Sequence, residues 1–389
     1  MAGTERWMRI GRSRETDAVR AGAEAADMAL GADEAKLLVV FCSDAYDLQA
    51  LLDSINGRSG GMPLIGCSTA GEIATDGPSD ASVVVVAFGG DDFRAQTVAA
   101  EQASSRLREA GAEVAAAMTD LEPLPHRVLL LLTDGLAGDQ QEVVRGAYSV
   151  LGAAIPLVGG CAGDGLKMRA TYQFCDDRVL TDSVVGAALG SPAMLGIGVR
   201  HGWRKVGEPM VVTRSAGNVV YSLGDEPALD VYLDRLDAPP AARSDPEAFT
   251  AFALTHPLGI ERRRGEEHVR FVAEADFDAR ALGCIAEVPQ GGMAWFMDGD
   301  AESVLEATDA ACHDALLPLE GRPPIGLIAF DCIARRGVLG DGGIAHEIER
   351  IAKYAGGAPV AGFYTYGEIA RTQGIRGFHN QTLVVLAVE

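Results

Sequence analysis

Six carboxylates are spaced as if they shared a task. A pattern of proline, apolar strand, glycine, small or polar residues and a closing Gly-acid pair occurs three times. The first copy runs from Pro63 to Glu72 and contains Cys67, Ser68 and Thr69. The second, one residue shorter, runs from Pro156 to Asp164, and the third from Pro359 to Glu368 with Tyr364 and Tyr366 inside it. Asp44, Asp134 and Asp331 form a second set, each placed after an apolar run. A carboxylate beside tyrosine rings can receive an ammonium group through ion pairing and cation–π contact. Asp44 and Asp134 also have the alternative task of capping the helices expected after them. His379-Asn380-Gln381-Thr382 sets four polar residues before the last apolar run. That cluster reads either as a pocket wall or as a hydrogen-bonded loop tying the last strand down.

Other catalytic signatures are missing from the sequence. No GxSxG, HExxH or Ser-xx-Lys arrangement occurs, and the glycine-rich run at 337–343 lacks the lysine of a phosphate loop, so it is expected to be a flexible loop. The seven cysteines include no CxxC pair. Cys67 and Cys161 hold nearby slots in two copies, but a nucleophile needs a positioned base. Small-residue packing is the expectation for both. Arg262, Arg263 and Arg264 read as a solvated loop or an anion contact.

Elements that could position these residues follow from periodicity. Strands are expected at 7–10, 36–42 and 82–88, with helices at 16–30 and 46–55. The order returns with strands at 93–99 and 127–132 and helices at 105–118 and 140–151. It returns again with strands at 293–297, 326–330 and 382–388 and helices at 301–317 and 344–354. The fold class is α/β: repeated β-α-β-α-β-β units forming largely parallel sheets flanked by helices, since strand–helix alternation and fully apolar strands favour parallel pairing. Residues 192 to about 290 fall outside this order and read as a mixed α+β insertion with a hairpin at 209–223. The proline-rich stretch 238–246 is the linker candidate, dividing a domain at 1–236 from one at 237–389, whose third unit spans 290–389.

A net charge of −22 argues against nucleic acid or an anionic membrane as partner. The first residues lack the apolar core of a signal peptide, and no apolar run is long enough to span a bilayer. A reducing, cytoplasmic setting is expected from the unpaired cysteine pattern.

Phe41-Cys42-Ser43 with Pro63…Gly71-Glu72 and Gly159-Gly160-Cys161-Ala162-Gly163-Asp164 resembles the N-terminal half of the FIST domain. His256-Pro257-Leu258-Gly259, the run Gly362 to Ile369 and Gly377-Phe378-His379-Asn380-Gln381-Thr382 resemble its C-terminal half. The resemblance covers roughly 30–389 and is to the stand-alone bacterial type. It implies an intracellular sensory module for small ligands, with amino acids proposed. It also implies, as an alternative, haem binding and nitric-oxide sensing with output to a separate kinase or cyclic-di-nucleotide enzyme. The axial-ligand candidates would then be His379 and His256.

The leading expectation is a non-catalytic, small-ligand sensor in signal transduction. Its expected ligand-binding residues are Cys67, Ser68, Thr69, Glu72, Asp164, Tyr364, Tyr366, Glu368, His379 and Asn380. An enzyme using one of the repeated acids is a further alternative.

Overall fold

A computed structural model describes residues 5–31, 34–261, 267–372 and 377–389. Arg262, Arg263 and Arg264 lie outside the described residues. The described residues form four sheets, and three of them enclose one central core.

The first sheet runs, in spatial order, through strands Trp7–Ser13, Val83–Gly89, Ala35–Cys42 and Leu64–Ser68. The second has the same layout in Arg94–Glu101, Ser183–Ser191, His126–Thr133 and Leu157–Cys161. The third has it in Leu195–Arg200, Leu383–Val388, Gly326–Cys332 and Val360–Thr365. In each sheet only the last of these pairings is parallel. The expectation of largely parallel sheets is therefore corrected. Inner strands such as Val83–Gly89 and Leu383–Val388 are apolar throughout because helices cover one face and the other two sheets cover the other, so burial on both faces does not require parallel neighbours.

Each sheet ends in a hairpin that crosses from elsewhere in the chain. Glu72–Ala74 and Gly77–Ser79, which follow the first copy, pair with the third sheet. Gln173–Cys175 and Arg178–Leu180 join the first sheet. Glu368–Arg371 and Phe378–His379 join the second. The exchange is cyclic.

Phe41, Phe330 and Phe363 meet at the centre, with ring centroids 4.8 to 6.4 Å apart. The glycine near the middle of each copy is a steric requirement. A Cβ at Gly159 or Gly362 would overlap the carbonyl oxygen of Leu131 or Ala329 on the parallel neighbour, and φ at the two glycines is 151° and 158°. The leading proline keeps its carbonyl in use: Pro63, Pro156 and Pro359 accept from Leu38, Leu129 and Leu327 at 2.9, 3.0 and 2.9 Å.

Helix pairs cover the outer faces. Ala18–Leu30 with Leu48–Ser59 covers the first sheet, Leu107–Asp120 with Gln140–Leu151 the second, and Ala301–Leu316 with Ile333–Ala355 the third. The N-caps are Asp47 and Asp139, whose carboxylates accept from Ala50 and Gln141. This corrects the capping role expected of Asp44 and Asp134: the chain makes a further turn before each helix begins. The glycine-rich run 337–343 is likewise not a loop. Two helices meet in it across a kink at Gly340 (φ 63°, ψ 177°), and together they make up the helical span Ile333–Ala355.

The insertion carries the fourth sheet, an antiparallel one that includes Arg204–Ala216, Val219–Leu223, Leu258–Glu261 and Met293–Asp298. Met293–Asp298, expected to open the third unit, pairs here instead, and the edge strand of the third sheet is Leu195–Arg200. In the stretch 238–246, Ala238 and Ala242 are buried with Leu229, Phe249 and Phe296 in the insertion's own core.

Candidate functional site

The three copies converge, and they do so on one another. Ala70 donates its amide to the Tyr364 carbonyl at 3.0 Å, and Tyr364 donates to the Gly71 carbonyl at 2.8 Å, joining first and third copies. Gly163 donates to the Ser68 carbonyl at 3.0 Å, joining second and first. Cys161 donates to the Gly367 carbonyl at 2.8 Å and Tyr366 to the Cys161 carbonyl at 3.2 Å, closing the ring. The Ser68 hydroxyl adds a 2.7 Å bond to the Gly163 carbonyl.

The acids sit behind this ring. Glu368 accepts from the Thr365 hydroxyl at 2.6 Å on one oxygen. On the other it accepts from the Thr382 amide and hydroxyl at 3.1 and 2.7 Å. Glu72 repeats the clasp with Thr69 at 2.5 Å and the Ser82 amide and hydroxyl at 3.0 and 2.8 Å. Both are buried, and burial outweighs these bonds to push each carboxyl up to about 7. Asp164 differs. It accepts the amides of Met168, Arg169 and Ala170 at 2.7 to 3.1 Å and the Tyr366 hydroxyl. With the hydroxyl first among those bonds, they hold its carboxyl below the ordinary value despite the opposing effect of burial. The acids thus fasten each hairpin and loop to the next segment.

The second acid set is also largely internal. Asp134 accepts from Thr171 at 2.7 Å and from the amides of Leu136 and Asp182 at 2.8 and 3.0 Å. Asp331 is buried 2.7 Å from Arg335, whose guanidinium also meets Glu347 and Thr308 at 2.5 and 2.9 Å. Asp44 alone of this set faces an opening.

That opening is a cleft of about 610 Å³, whose lining includes Asp44, Asp80, Lys167, Arg336 and Asp341. The first copy supplies Thr69, Ala70 and Gly71, and the segment after the second copy supplies Gly165, Leu166 and Lys167. The third copy reaches it indirectly, through Tyr364: the Arg336 guanidinium lies 4.9 Å over that ring. Arg336 also donates to the Ala70 carbonyl at 3.1 Å and pairs with Asp80. Lys167 pairs with Asp44 at 2.5 Å.

Of the ten residues expected from sequence, Thr69 lines this cleft and Tyr366 lines a second one of about 630 Å³. Cys67, Ser68, Glu72, Asp164, Tyr364, Glu368, His379 and Asn380 line neither. Arg336, Lys167 and Asp80 were not singled out by sequence. Arg336 sits at the edge of the glycine-rich run, and a helix there would have drawn notice to it.

Burial pushes the Cys67 thiol well up and the Cys161 thiol to about 12, the reverse of what a nucleophile needs. All seven cysteines are free and buried. His379 holds Ala370 carbonyl oxygen 2.9 Å from Nε2 and stacks on His268, and burial pulls its imidazole down to about 4. His256 has Nδ1 2.7 Å from the Phe252 carbonyl oxygen and lies flat on the Phe252 ring. Neither imidazole lines either large cleft, so these residues do not fit a haem. Gln381 ties the last loop down, donating to the Leu254 carbonyl at 2.8 Å and accepting the Trp203 indole at 3.0 Å on its own carbonyl. Among the described residues no group of three or more His, Cys, Asp or Glu could hold a metal ion. Nor is any described helix long and apolar enough to cross a membrane.

The sequence matches the FIST N domain over residues 36–226 and the FIST C domain over 228–371. It is 29% identical over 235 residues to an uncharacterized protein of Mycobacterium tuberculosis, covering 58% of this chain and 59% of that protein. It is 30% identical over 237 residues to one of Mycobacterium bovis, covering 58% of each. A protein of Methanocaldococcus jannaschii, also uncharacterized, is 24% identical over 261 residues, covering 61% of this chain and 50% of that protein. The chain thus spans less than two thirds of the length of these curated relatives. With both halves matched in order along the chain, this protein belongs to the FIST family, whose domains are associated with sensory roles in signal transduction.

Proposed function

We propose that the protein is a non-catalytic sensor that binds a small zwitterionic metabolite, such as an amino acid, in the cleft between Arg336 and the Asp44–Lys167 pair. The observation that carries the reading is the presence of both charge signs in that cleft, held in ion pairs that open at little cost. Side-chain exposure is 70% at Asp80 and 49% at Lys167, so each pair is worth at most about 1 kcal/mol. A ligand carboxylate would take the Arg336 fork, which Tyr364 and the Ala70 carbonyl already orient. The ligand ammonium would take Asp44 or Asp80.

Position supports the same reading. The cleft lies beyond the carboxyl ends of the parallel strands Ala35–Cys42 and Leu64–Ser68, where open α/β sheets take their ligands. It is bordered by segments 69–71, 165–167 and 333–341, which come from three separate parts of the fold. A ligand there would bridge them, and a separate signalling protein, such as a kinase or a cyclic-di-nucleotide enzyme, would read the bridged state. Seven reduced, buried thiols suit a cytoplasmic setting. Binding is favoured over turnover because Glu72 and Glu368 are enclosed by their own hydrogen bonds.

Thermal unfolding with a panel of the twenty amino acids tests the proposal. A ligand at a hundred times its Kd adds about 2.7 kcal/mol of stability by mass action. A rise in Tm of several degrees with one chemical subset is expected. No shift with any member at millimolar concentration would sink the amino-acid reading.

A further inference from the structure

The second cleft, of about 630 Å³, opens between the start of helix Gln140–Leu151 and the insertion. Its lining carries three acids, Asp139, Glu142 and Glu287, against one cation, Arg145. Glu142 is paired with Arg145 and also, at 2.6 Å, with Arg108, and Glu287 lies 3.5 Å from Arg145. Asp139 is less well supplied. Its Oδ1 accepts the Gln141 amide at 3.0 Å as the helix cap. Partial burial, outweighing that bond and the nearby Arg145, holds its carboxyl above the ordinary value.

Gln140 is the second observation. It is 2% exposed and lines the cleft. Its amide nitrogen donates to the carbonyls of Asp134 and Gly138 at 2.9 and 3.2 Å, which leaves Oε1 as the end still to be satisfied. That buried oxygen has no hydrogen-bond partner among the described residues. A buried acceptor without a donor costs about 1–3 kcal/mol unless something fills the role. Two aromatic side chains, Tyr366 and Phe378, complete the wall. Gly135 makes room for the Ala162 carbonyl, which a Cβ there would overlap, and also for the Tyr366 ring, which it would meet at 3.0 Å.

The missing group must therefore donate hydrogen bonds, carry positive charge and tolerate aromatic faces. An anion meets more acid than base in the lining, and a quaternary ammonium has no N–H for Gln140. A net charge of −22 draws cations toward the whole molecule. We propose that this cleft is a second ligand site, selective for a small organic amine in its protonated form, a primary ammonium or guanidinium on a short aliphatic chain. Asp139 and Gln140 Oε1 take the N–H groups, and Tyr366 and Phe378 cover the chain and face the charge. The site shares no lining residue with the Arg336 cleft.

Calorimetric titration of the full chain with putrescine, agmatine and 1,4-butanediol tests this. The diol keeps the length of putrescine and removes its charge. One or both amines should bind, with the diol at least tenfold weaker. Asp139→Asn keeps a good N-cap residue and should weaken the amine at least tenfold with Tm little changed. Gln140→Met, which removes the acceptor, should weaken it at least threefold. Arg336→Ala should leave amine binding unaltered. No heat at millimolar amine, equal binding of the diol, or loss on Arg336→Ala but not on Asp139→Asn would overturn the assignment.

Discussion

Replacing Glu368 with glutamine should change how stability depends on pH, by an amount the structure sets. Burial raises this carboxyl from 4.5 to about 7 in the folded protein. Between those values the folded state holds a proton that the unfolded chain has released. Stability attributable to Glu368 is therefore greatest below pH 4.5 and falls as pH rises toward 7. Integrated from pH 5 to pH 8, the loss is about 2–3 kcal/mol. Glu72 follows the same sign, with its carboxyl also near 7. His379 opposes them: its imidazole is pulled from 6.5 to about 4, so its contribution is present above pH 6.5 and lost as pH falls toward 4. The wild-type curve mixes these effects, and the difference between wild type and Glu368→Gln isolates one. Urea unfolding of both proteins at pH 5, 6, 7 and 8 supplies that difference. Glutamine can keep its carbonyl oxygen on the two Thr382 donors but then sets its NH₂ against the Thr365 hydroxyl that Glu368 now accepts from, so a constant offset of about 1–3 kcal/mol is also expected. The wild-type advantage should shrink by about 2–3 kcal/mol from pH 5 to pH 8. Parallel stability curves across that range would refute the account of the buried clasp.

Gly362→Ala should destabilise by at least about 3 kcal/mol or abolish soluble expression, because the added methyl overlaps the Ala329 carbonyl. Gly57→Ala lies in helix Leu48–Ser59 with nothing within 4 Å, and should instead add about 0.5–1 kcal/mol in the same urea assay. Tyr366→Phe removes the hydroxyl that holds Asp164 and the Leu166 amide, where Leu166 and Met168 sit at φ 66° and 53°. It should cost about 1–2 kcal/mol and speed limited proteolysis near residue 167. The seven cysteines should stay unreactive toward a thiol reagent in the native protein and titrate fully in denaturant, since all are buried.

The α/β class was legible because runs such as 83–88 and 128–132 are apolar at every position. Their pairing was not. A strand buried on both faces looks the same whether its neighbours are parallel or antiparallel, and only the closing strand of each sheet, threaded between the first and the central one, decides. That hairpins cross from one unit to another sheet escaped notice because segments of two to four residues, such as Glu72–Ala74, can take their strand character from partners nearly 300 residues away. The acids of the three copies were recognisable as special, but their internal hydrogen bonds were not. A threonine three residues before each glutamate, Thr69 before Glu72 and Thr365 before Glu368, was the available sign of an internal clasp. The second copy lacks that threonine and closes with Asp164, which binds a backbone loop instead. Arg336 and Lys167 carry no sequence pattern of their own. Folding alone brings them to one cleft from positions 169 residues apart.

Calorimetric titration of the strongest amino-acid ligand from the panel into wild type, Arg336→Met and Asp44→Asn tests the central claim most directly. Arg336→Met keeps the aliphatic stem beside Tyr364 and removes the charge. Affinity should fall at least tenfold for Arg336→Met and severalfold for Asp44→Asn, while Asp139→Asn binds as the wild type does. Unchanged affinity in Arg336→Met, with the protein folded, would contradict the assignment of the cleft.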